Sequence, residues 1–195
     1  MVELGSGAVR GINDMMLSRY ACYLIVQNAD PKKEVVALGQ TYFAVQTRKQ
    51  ELQDEFQSLD EDQKRLAIRN ELKEHNKSLA EAAQNAGVET PYDYAVFQNH
   101  GYQGLYGGMG AKQIHQRKKL RKSQQILDHM GSTELAANLF RATQTDEKLR
   151  RDRIKGKTKA NRTHYEVGAK VRQTIEDLGG TMPENFPTPE KVLNS

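Results

Sequence analysis

The sequence contains few or none of several features, among them cysteine, tryptophan and long apolar runs. Each of these shortages excludes certain classes of protein. Cys22 is the only cysteine among 195 residues, so no intrachain disulfide can form and the sequence fits a reducing cytoplasm. Tryptophan is absent, and the longest apolar run, Ala21 to Val26, is far shorter than the ~20 residues that a membrane span needs. The N-terminus shows no basic segment leading into an apolar one, so no secretory signal is visible. We therefore predict a cytoplasmic protein that does not enter a membrane.

The sequence also lacks the motifs on which most catalytic or metal sites depend. Gly108 and Gly110 have no third glycine at phosphate-loop spacing, and no Gly-Lys-Ser/Thr follows them. The five histidines are never three or four residues apart, and one cysteine cannot complete a zinc site. Glu71-Leu-Lys73, with Asp60 or Asp62 upstream of it, faintly resembles the acid-x-Lys pattern of nucleases. On a charge-rich helix, however, this spacing is typical of a solvent-exposed face. We predict a non-enzyme with no catalytic residue, metal or cofactor.

Positive charge is concentrated in one segment, although the net charge is only +4. Residues 1–111 contain 11 Lys/Arg and 15 Asp/Glu, a net charge of −4. Residues 112–172 contain 17 and 6, a net charge of +11, and residues 173–195 contain 1 and 4, a net charge of −3. A basic segment between acidic ones favours a localised anion-binding surface.

The basic side chains form two clusters. The first cluster (residues 112–122) contains no acid, and the second cluster (residues 148–162) contains only Asp152. Lysine and arginine clusters neutralise phosphates and release counterions, although a solubilising face has the same composition. The predicted nucleic-acid-binding residues are Lys112, Arg117, Lys118, Lys119, Arg121, Lys122, Lys148, Arg150, Arg151, Arg153, Lys155, Lys157, Lys159 and Arg162.

Apolar spacing predicts an all-α fold of long helices and helical hairpins, with a small N-terminal β-hairpin. The expected divisions are residues 1–30, a long helical hairpin over 31–100, a glycine-rich loop over 101–111, a basic helical region over 112–180 and a disordered or extended tail over 181–195. Val2–Leu4 and Ile12–Leu17 are the predicted strands. Ser18 is the predicted cap of a helix over 19–28.

Two long helices are predicted to form the hairpin. Asp30-Pro31 would begin the first, whose apolar seam could be the core of a bundle or a dimeric coiled coil with Lys49 as a polar position. The capping box Ser58–Glu61 would begin the second, which ends near Gly87. The two seams are Val35, Leu38, Tyr42, Val45, Leu52, Phe56 and Leu59, and Ile68, Leu72, His75, Leu79, Ala82 and Ala86.

The remaining segments are predicted to be short helices around a glycine-rich loop. Thr90 would cap a helix that stops at Gly101, because five glycines follow within residues 101–110 and some of them are expected to need positive φ. Helices are then predicted over 112–121, 123–130, 132–154 with Ser132 as cap, and 159–178. The loop aromatics Tyr102 and Tyr106, with Tyr92, Tyr94 and Phe97 before it, could stack on bases or pack in the core.

Long motifs link the sequence to a known family. They are LSRYACYLIVQNADP (Leu17–Pro31), QTYFAVQTRKQEL (Gln40–Leu52), RNELKEHNK (Arg69–Lys77), FQNHGYQGLYGGM (Phe97–Met109), ILDHMGSTELAANLFRATQTDEKL (Ile126–Leu149) and THYEVGAKVRQTIEDLGGTMPENFPTPEK (Thr163–Lys191). They are spread from Leu17 to Lys191, and the match extends over essentially the whole chain, which resembles the DNA damage-inducible protein D family.

The resemblance implies a protein of the bacterial SOS response whose N-terminal region is similar to the Bro-N DNA-binding domain. Family members usually carry more residues before the position of Val2, so the chain is expected to begin inside that domain. The family offers no active site to carry over.

Three functions follow as hypotheses. The first is a regulator of the damage response and of recombination that binds DNA, preferably single-stranded, or a filament of the strand-exchange recombinase on DNA. The second is a helical protein-interaction module that forms a homodimer and has no DNA binding of its own. A nuclease is the third and weakest hypothesis.

Overall fold

The computed structural model describes residues 2–3, 9–10, 15–190 and 192–193. The chain divides into two compact units, an N-terminal unit (Met1–Ser58) and a C-terminal unit (Leu59–Ser195). Their boundary lies between the two long helices predicted to form a hairpin, so the pairing of those helices stays a prediction. The described elements are helical apart from two very short strands, which confirms the predicted all-α class.

The N-terminal unit contains the strands β1 (Val2–Glu3) and β2 (Val9–Arg10), which pair antiparallel. It continues with the helices α1 (Arg19–Asn28) and α2 (Glu34–Ser58). The predicted second strand over 12–17 is not found at residues 15–17, and residues 12–14 lie outside the described part of the chain. The β-hairpin as the remnant of a larger domain therefore stays a prediction.

Local sequence signals position α1 and α2. The Ser18 side chain accepts a hydrogen bond from the first turn of α1, which confirms the predicted cap. The helix α2 begins at Glu34 and not at the predicted Pro31, because residues 31–33 form a turn. The rings of Tyr23 and Phe43 meet edge to face with 5.2 Å between centroids, so α1 packs on α2.

The predicted apolar seam of α2 is exposed. The exposed fractions run from 74% at Val35 to 42% at Phe56, and no described residue of α1 or α2 is buried. The other exposed seam residues are Leu38, Tyr42, Val45 and Leu52. The heptad spacing is therefore present on a helix face that the described residues of the N-terminal unit leave exposed.

The C-terminal unit contains five α-helices and the hydrophobic core. They are α3 (Glu61–Asn85), α4 (Pro91–Leu105), α5 (Ala111–Arg117), α6 (Ser132–Arg151) and α7 (Lys157–Asp177). Two 3-10 turns, Ile126–His129 and Pro183–Asn185, complete it. The helix α3 packs along α6, and α4 packs along α7. The predicted seam of α3 is confirmed as core at Leu72, Leu79, Ala82 and Ala86.

Glycines bring α4 and α7 into close contact. A Cβ atom at Gly168 would lie 2.8 Å from the carbonyl oxygen of Gly101, and one at Gly104 would meet the backbone of α7 at Tyr165. The predicted loop over 101–111 is therefore wrong for its first half, because α4 continues to Leu105 and uses two glycines for packing. The expected positive φ is confirmed at Gly107 and Gly108, with values of +60° and +95°.

The helix starts in this unit confirm some predicted caps and correct others. Thr90 and Asp93 form a reciprocal capping box at α4. The box at α3 is formed by Asp60 and Gln63, not by Ser58 and Glu61. The Glu61 carboxylate instead accepts hydrogen bonds from the backbone N–H and hydroxyl of Ser132, both at 2.8 Å. Ser132 is therefore the first residue of α6 and is itself capped from another helix.

The basic helical region and the tail also differ from prediction. The helix expected over 112–121 ends at Arg117, and the one expected over 123–130 is only the turn Ile126–His129. The expected helix over 132–154 ends at Arg151, and the last helix spans Lys157–Asp177. The tail is not wholly extended, since Pro183 is buried in a 3-10 turn and Leu193 is also buried. A proline-rich composition does not reveal that such residues pack.

Candidate nucleic-acid interface

The first cluster lies on α5 and the loop after it, and backbone hydrogen bonds order both. Asn99 accepts a hydrogen bond from the N–H of Ala111 at 2.9 Å, which fixes the start of α5. Ile114 is buried and anchors the helix to the core. At the other end, the N–H of Leu120 donates to the carbonyl of His115 at 3.1 Å, as in a Schellman motif. The basic side chains are therefore displayed from a defined backbone.

Two members of the first cluster are bound within the protein. The Lys118 ammonium lies 2.8 Å from the Glu134 carboxylate, and both side chains are buried. Arg117 donates to the backbone carbonyl of Glu184 at 2.7 Å and to the Asn185 side chain at 3.1 Å. Lys118 is thus a buried ion-pair residue, and its contact with nucleic acid stays a prediction that this burial does not favour.

The other four members of the first cluster are available to a ligand. Their side chains are exposed and form no ion pair or hydrogen bond with any residue that the structure describes. They are Lys112, Lys119, Arg121 and Lys122. Because no acid neutralises them, this surface keeps its positive charge.

Acids of the same chain neutralise most of the second cluster. Five of its members form ion pairs: Lys148 with Asp152, Arg150 with Asp146, Arg151 with Glu147, Lys157 with Asp93 and Arg162 with Glu166. Lys155 donates to the backbone carbonyl of Asn85 at 2.9 Å. Only Arg153 and Lys159 are exposed without a side-chain partner in the described part of the chain. The second cluster therefore offers less free charge than its sequence indicates.

A network of hydrogen-bonded, buried polar side chains lies beneath the first cluster. Glu134 accepts from Lys118 on one oxygen and from the Tyr106 hydroxyl on the other, at 2.8 and 2.9 Å. Asn138 donates to the same hydroxyl at 2.9 Å. Burial raises the pKa of Glu134, whereas the hydrogen bond from Lys118 lowers it. Burial also raises the pKa of Tyr106 well above its usual value.

The buried hydrogen-bond network extends to an arginine and a histidine. The Arg141 guanidinium donates to the Asn138 side chain at 3.3 Å, contacts His164 and lies 5.0 Å from the centre of the Tyr102 ring. Burial, reinforced by Arg141, lowers the pKa of His164 well below 6.5, so the imidazole stays neutral. The network links α4, α5, α6 and α7, and so supports the surface that carries the first cluster.

The loop aromatics are mostly core residues. Tyr106 is 1% exposed and Phe97 is fully buried, while Tyr102 packs beside Arg141. Of the two alternatives for Tyr102 and Tyr106, the structure shows core packing, since both lie on or at the end of a packed helix. The exposed tyrosines of this unit include Tyr92 and Tyr165. Tyr165 gives no signal in the sequence, because nothing in its neighbourhood distinguishes it from a core position.

The geometry defines a class of protein, a helical protein that carries a localised cationic surface. Residues 59–195, the C-terminal unit, match the family model of the DinD C-terminal domain. The chain is also 69% identical over 192 residues to DNA damage-inducible protein D of Escherichia coli K12, in a match that covers 97% of this chain and 70% of that protein. The chain therefore belongs to the DNA damage-inducible protein D family. No solved structure matches it. In the described residues, no helix is long and apolar enough to cross a membrane.

Proposed function

We propose that this chain is a cytoplasmic, non-enzymatic component of the DNA damage response that binds DNA through the first cluster. The role in DNA damage rests on family membership and on the name of the Escherichia coli relative. DNA binding rests on one observation, the four exposed cations Lys112, Lys119, Arg121 and Lys122 on an ordered helix and loop. Each cation that neutralises a phosphate releases a counterion, which favours binding.

Single-stranded DNA is the ligand we favour, alone or inside a filament of the strand-exchange recombinase. The SOS response to which the family resemblance points makes single strands abundant. Contacts to phosphate position a protein but carry little sequence information. We therefore expect affinity that depends strongly on salt and weakly on sequence.

The test is a fourfold charge reversal measured as a function of salt. Lys112, Lys119, Arg121 and Lys122 are replaced by Glu, while the structural residues Arg117 and Lys118 are left in place. The slope of log K against log salt is about −0.7 per phosphate on single strands and about −0.9 on duplex. Losing four contacts should flatten the slope by about 3 units on single strands and weaken binding on all sequences alike.

A matched variant controls for net charge. Reversing the exposed lysines Lys32, Lys33, Lys73 and Lys77 changes the net charge by the same amount outside the first cluster. We expect this control to bind DNA nearly as well as the wild type. Both proteins must retain the helical circular dichroism signal. If the first variant binds with unchanged affinity and slope, the first cluster is a solvated face and the proposal is wrong.

A second function is favoured by α2. Its apolar seam is exposed at heptad spacing, and a face of this kind is buried when two such helices pair. The alternative is therefore a protein-interaction module in which two copies associate through α2 and DNA binding is incidental.

Light scattering distinguishes this alternative. A dimer that Leu52→Asp dissociates would support it, because a carboxylate in the seam would be buried without a partner. Thr47→Asp, on an exposed position outside the seam, is the matched control and should leave the dimer intact. A wild-type protein that stays monomeric at high concentration would exclude pairing between chains.

A further inference from the structure

A groove of about 310 Å³ lies between α4 and α7 in the C-terminal unit. Its lining is entirely polar or aromatic: His100 from α4, and Thr158, Asn161, Arg162 and Tyr165 from α7. Of these residues, Arg162 is the one basic member of the second cluster, whose segment also contains Thr158 and Asn161.

The Asn161 amide has unused hydrogen-bonding capacity. Its Oδ1 is buried and accepts no hydrogen bond, and its amide nitrogen donates none to any described residue. A buried polar group without a partner costs free energy, so a ligand that supplies the missing hydrogen bond would be favoured.

His100 offers a second acceptor. Its Nδ1 lies 2.8 Å from the backbone carbonyl oxygen of Val96. A carbonyl can only accept, so Nδ1 carries the hydrogen and Nε2 of the neutral ring is an acceptor. No described residue donates to that Nε2. The groove therefore has two acceptors in its lining, His100 Nε2 and the buried Asn161 Oδ1, which a turn of the Asn161 side chain would bring to a ligand that carries donors.

Tyr165 and Arg162 add a stacking surface and a cation. Tyr165 is 43% exposed and its ring makes no contact with another aromatic ring of the described residues. The side chain of Arg162 is 80% exposed, and its Nε is held by Glu166 at 2.7 Å. The terminal N–H groups of the guanidinium thus remain free to bind a phosphate from a fixed direction.

We propose that this groove binds one unstacked base of single-stranded DNA, an inference that rests on the proposed function. The base stacks on Tyr165, its exocyclic amino group donates to Asn161 and His100, and its phosphate accepts from Arg162. Single-stranded bases are recognised in this way, by aromatic stacking with hydrogen bonds to their edges. Adenine, cytosine and guanine carry an amino group and thymine does not, so the groove favours the first three.

The first test compares short single-stranded homopolymers of dC and dT at fixed salt. The wild type should bind dC about 5- to 10-fold more tightly, the discrimination expected from a good base contact. Asn161→Ala should remove this preference while the salt slope stays unchanged. Its melting temperature should stay the same or rise, because it deletes an unpaired buried group. A clear fall in melting temperature with the preference retained would show a purely structural role.

The stacking contact is tested separately. Tyr165→Ala should weaken binding of both homopolymers by about tenfold, the typical effect of losing one stacked base. Tyr92→Ala removes another exposed tyrosine outside the groove and should have little effect. Equal losses in the two variants would overturn the assignment of Tyr165.

A mononucleotide separates failure of the groove from failure of the first cluster. The monophosphate dCMP should shift the side-chain amide signal of Asn161 in a two-dimensional NMR spectrum, and dTMP should shift it less. This result would support the groove even if reversing the first cluster left DNA binding unchanged. If dCMP leaves the signal in place and the wild type binds dC and dT equally, the inference is wrong whatever the first cluster does.

Discussion

The first and second clusters share a backbone feature, a basic residue with positive φ after a helix end. They differ in how many of their positive charges have no partner. Each spans the C-terminal end of a helix, and each places a cation in the left-handed region just after that end, Lys119 at φ 54° and Arg153 at φ 48°. In the first cluster four of six cations have no partner among the described residues, and in the second only two of eight. A comparable density of basic residues therefore gives two different surfaces.

The difference arises from where acids lie in the fold. Several cations of the second cluster meet an acid one helical turn away, as Arg151 does with Glu147. Lys157 meets an acid from another helix, Asp93 of α4. The first cluster has no acid at such a spacing, and among the described residues only Lys118 of this cluster forms an ion pair with one. The positions of the acidic residues, and not the number of basic residues, decide which surface can attract phosphate.

The largest expected effect is on the free energy of unfolding, and it differs between two neighbouring residues of the first cluster. Lys118→Met should lower the free energy of unfolding by about 3–5 kcal/mol, because it leaves Glu134 buried without its partner. Lys119→Met removes an exposed charge and should change stability by no more than about 0.5 kcal/mol. Urea denaturation measures both. Similar small effects would mean that Lys118 belongs to the surface and that its buried ion pair does not stabilise the fold.

The second effect compares the two clusters directly in DNA binding. Replacing Lys112, Lys119, Arg121 and Lys122 by Gln should flatten the salt slope on duplex by about 3–4 units. Replacing Lys148, Arg150, Arg151 and Lys155 by Gln removes the same charge but should hardly change the slope, because these groups already have partners. Fluorescence anisotropy over a series of salt concentrations gives both values. Equal flattening would show that net charge alone governs binding.

Much of the fold can be predicted from the sequence where local signals decide. Ser18 and Thr90 cap the helices that they were predicted to cap, and the seam of α3 is buried at Leu72 and Leu79. Gly101 and Gly104 were misinterpreted because glycine density normally indicates a loop. Only the approach of α7 shows that they allow helices to pack.

The candidate site was less predictable for a similar reason. Sequence identifies Lys118 and Lys119 as equivalent, and the ion pair with Glu134 that separates them joins residues far apart in the chain. The unpaired Asn161 amide gives no signal in the sequence at all, because its significance lies in the hydrogen bonds that it does not form. Long-range pairing decides both, and local patterns cannot report it.

The third effect concerns the buried network that supports the first cluster. Because burial and Arg141 lower the pKa of His164 well below 6.5, the folded state resists protonation. The unfolded chain binds that proton as the pH falls below about 6.5, so stability is fully present above this value and is lost below it. The melting temperature should therefore fall between pH 7.5 and 5.5.

Replacing His164 tests whether this residue causes the fall in melting temperature at low pH. His164→Gln should flatten the fall, although part will remain because burial also lowers the pKa of His129. His75→Gln, at a half-exposed position of α3, is the control that replaces a histidine outside the buried network. A profile that is the same in all three proteins would place the titrating group elsewhere.

The smallest effect tests why a cation occupies left-handed backbone in both clusters. Glycine adopts positive φ without strain, whereas for other residues it costs about 1 kcal/mol or somewhat more. Lys119→Gly and Arg153→Gly should therefore each raise the melting temperature by a few degrees. Only Lys119→Gly should also weaken DNA binding markedly, since its charge lies among other free cations. Loss of binding together with a gain in stability would show that the side chain is retained for function although it destabilises the fold. If Lys119→Gly is more stable and binds equally well, the lysine serves the negative end of the α5 dipole, and the interface must rest on Lys112, Arg121 and Lys122.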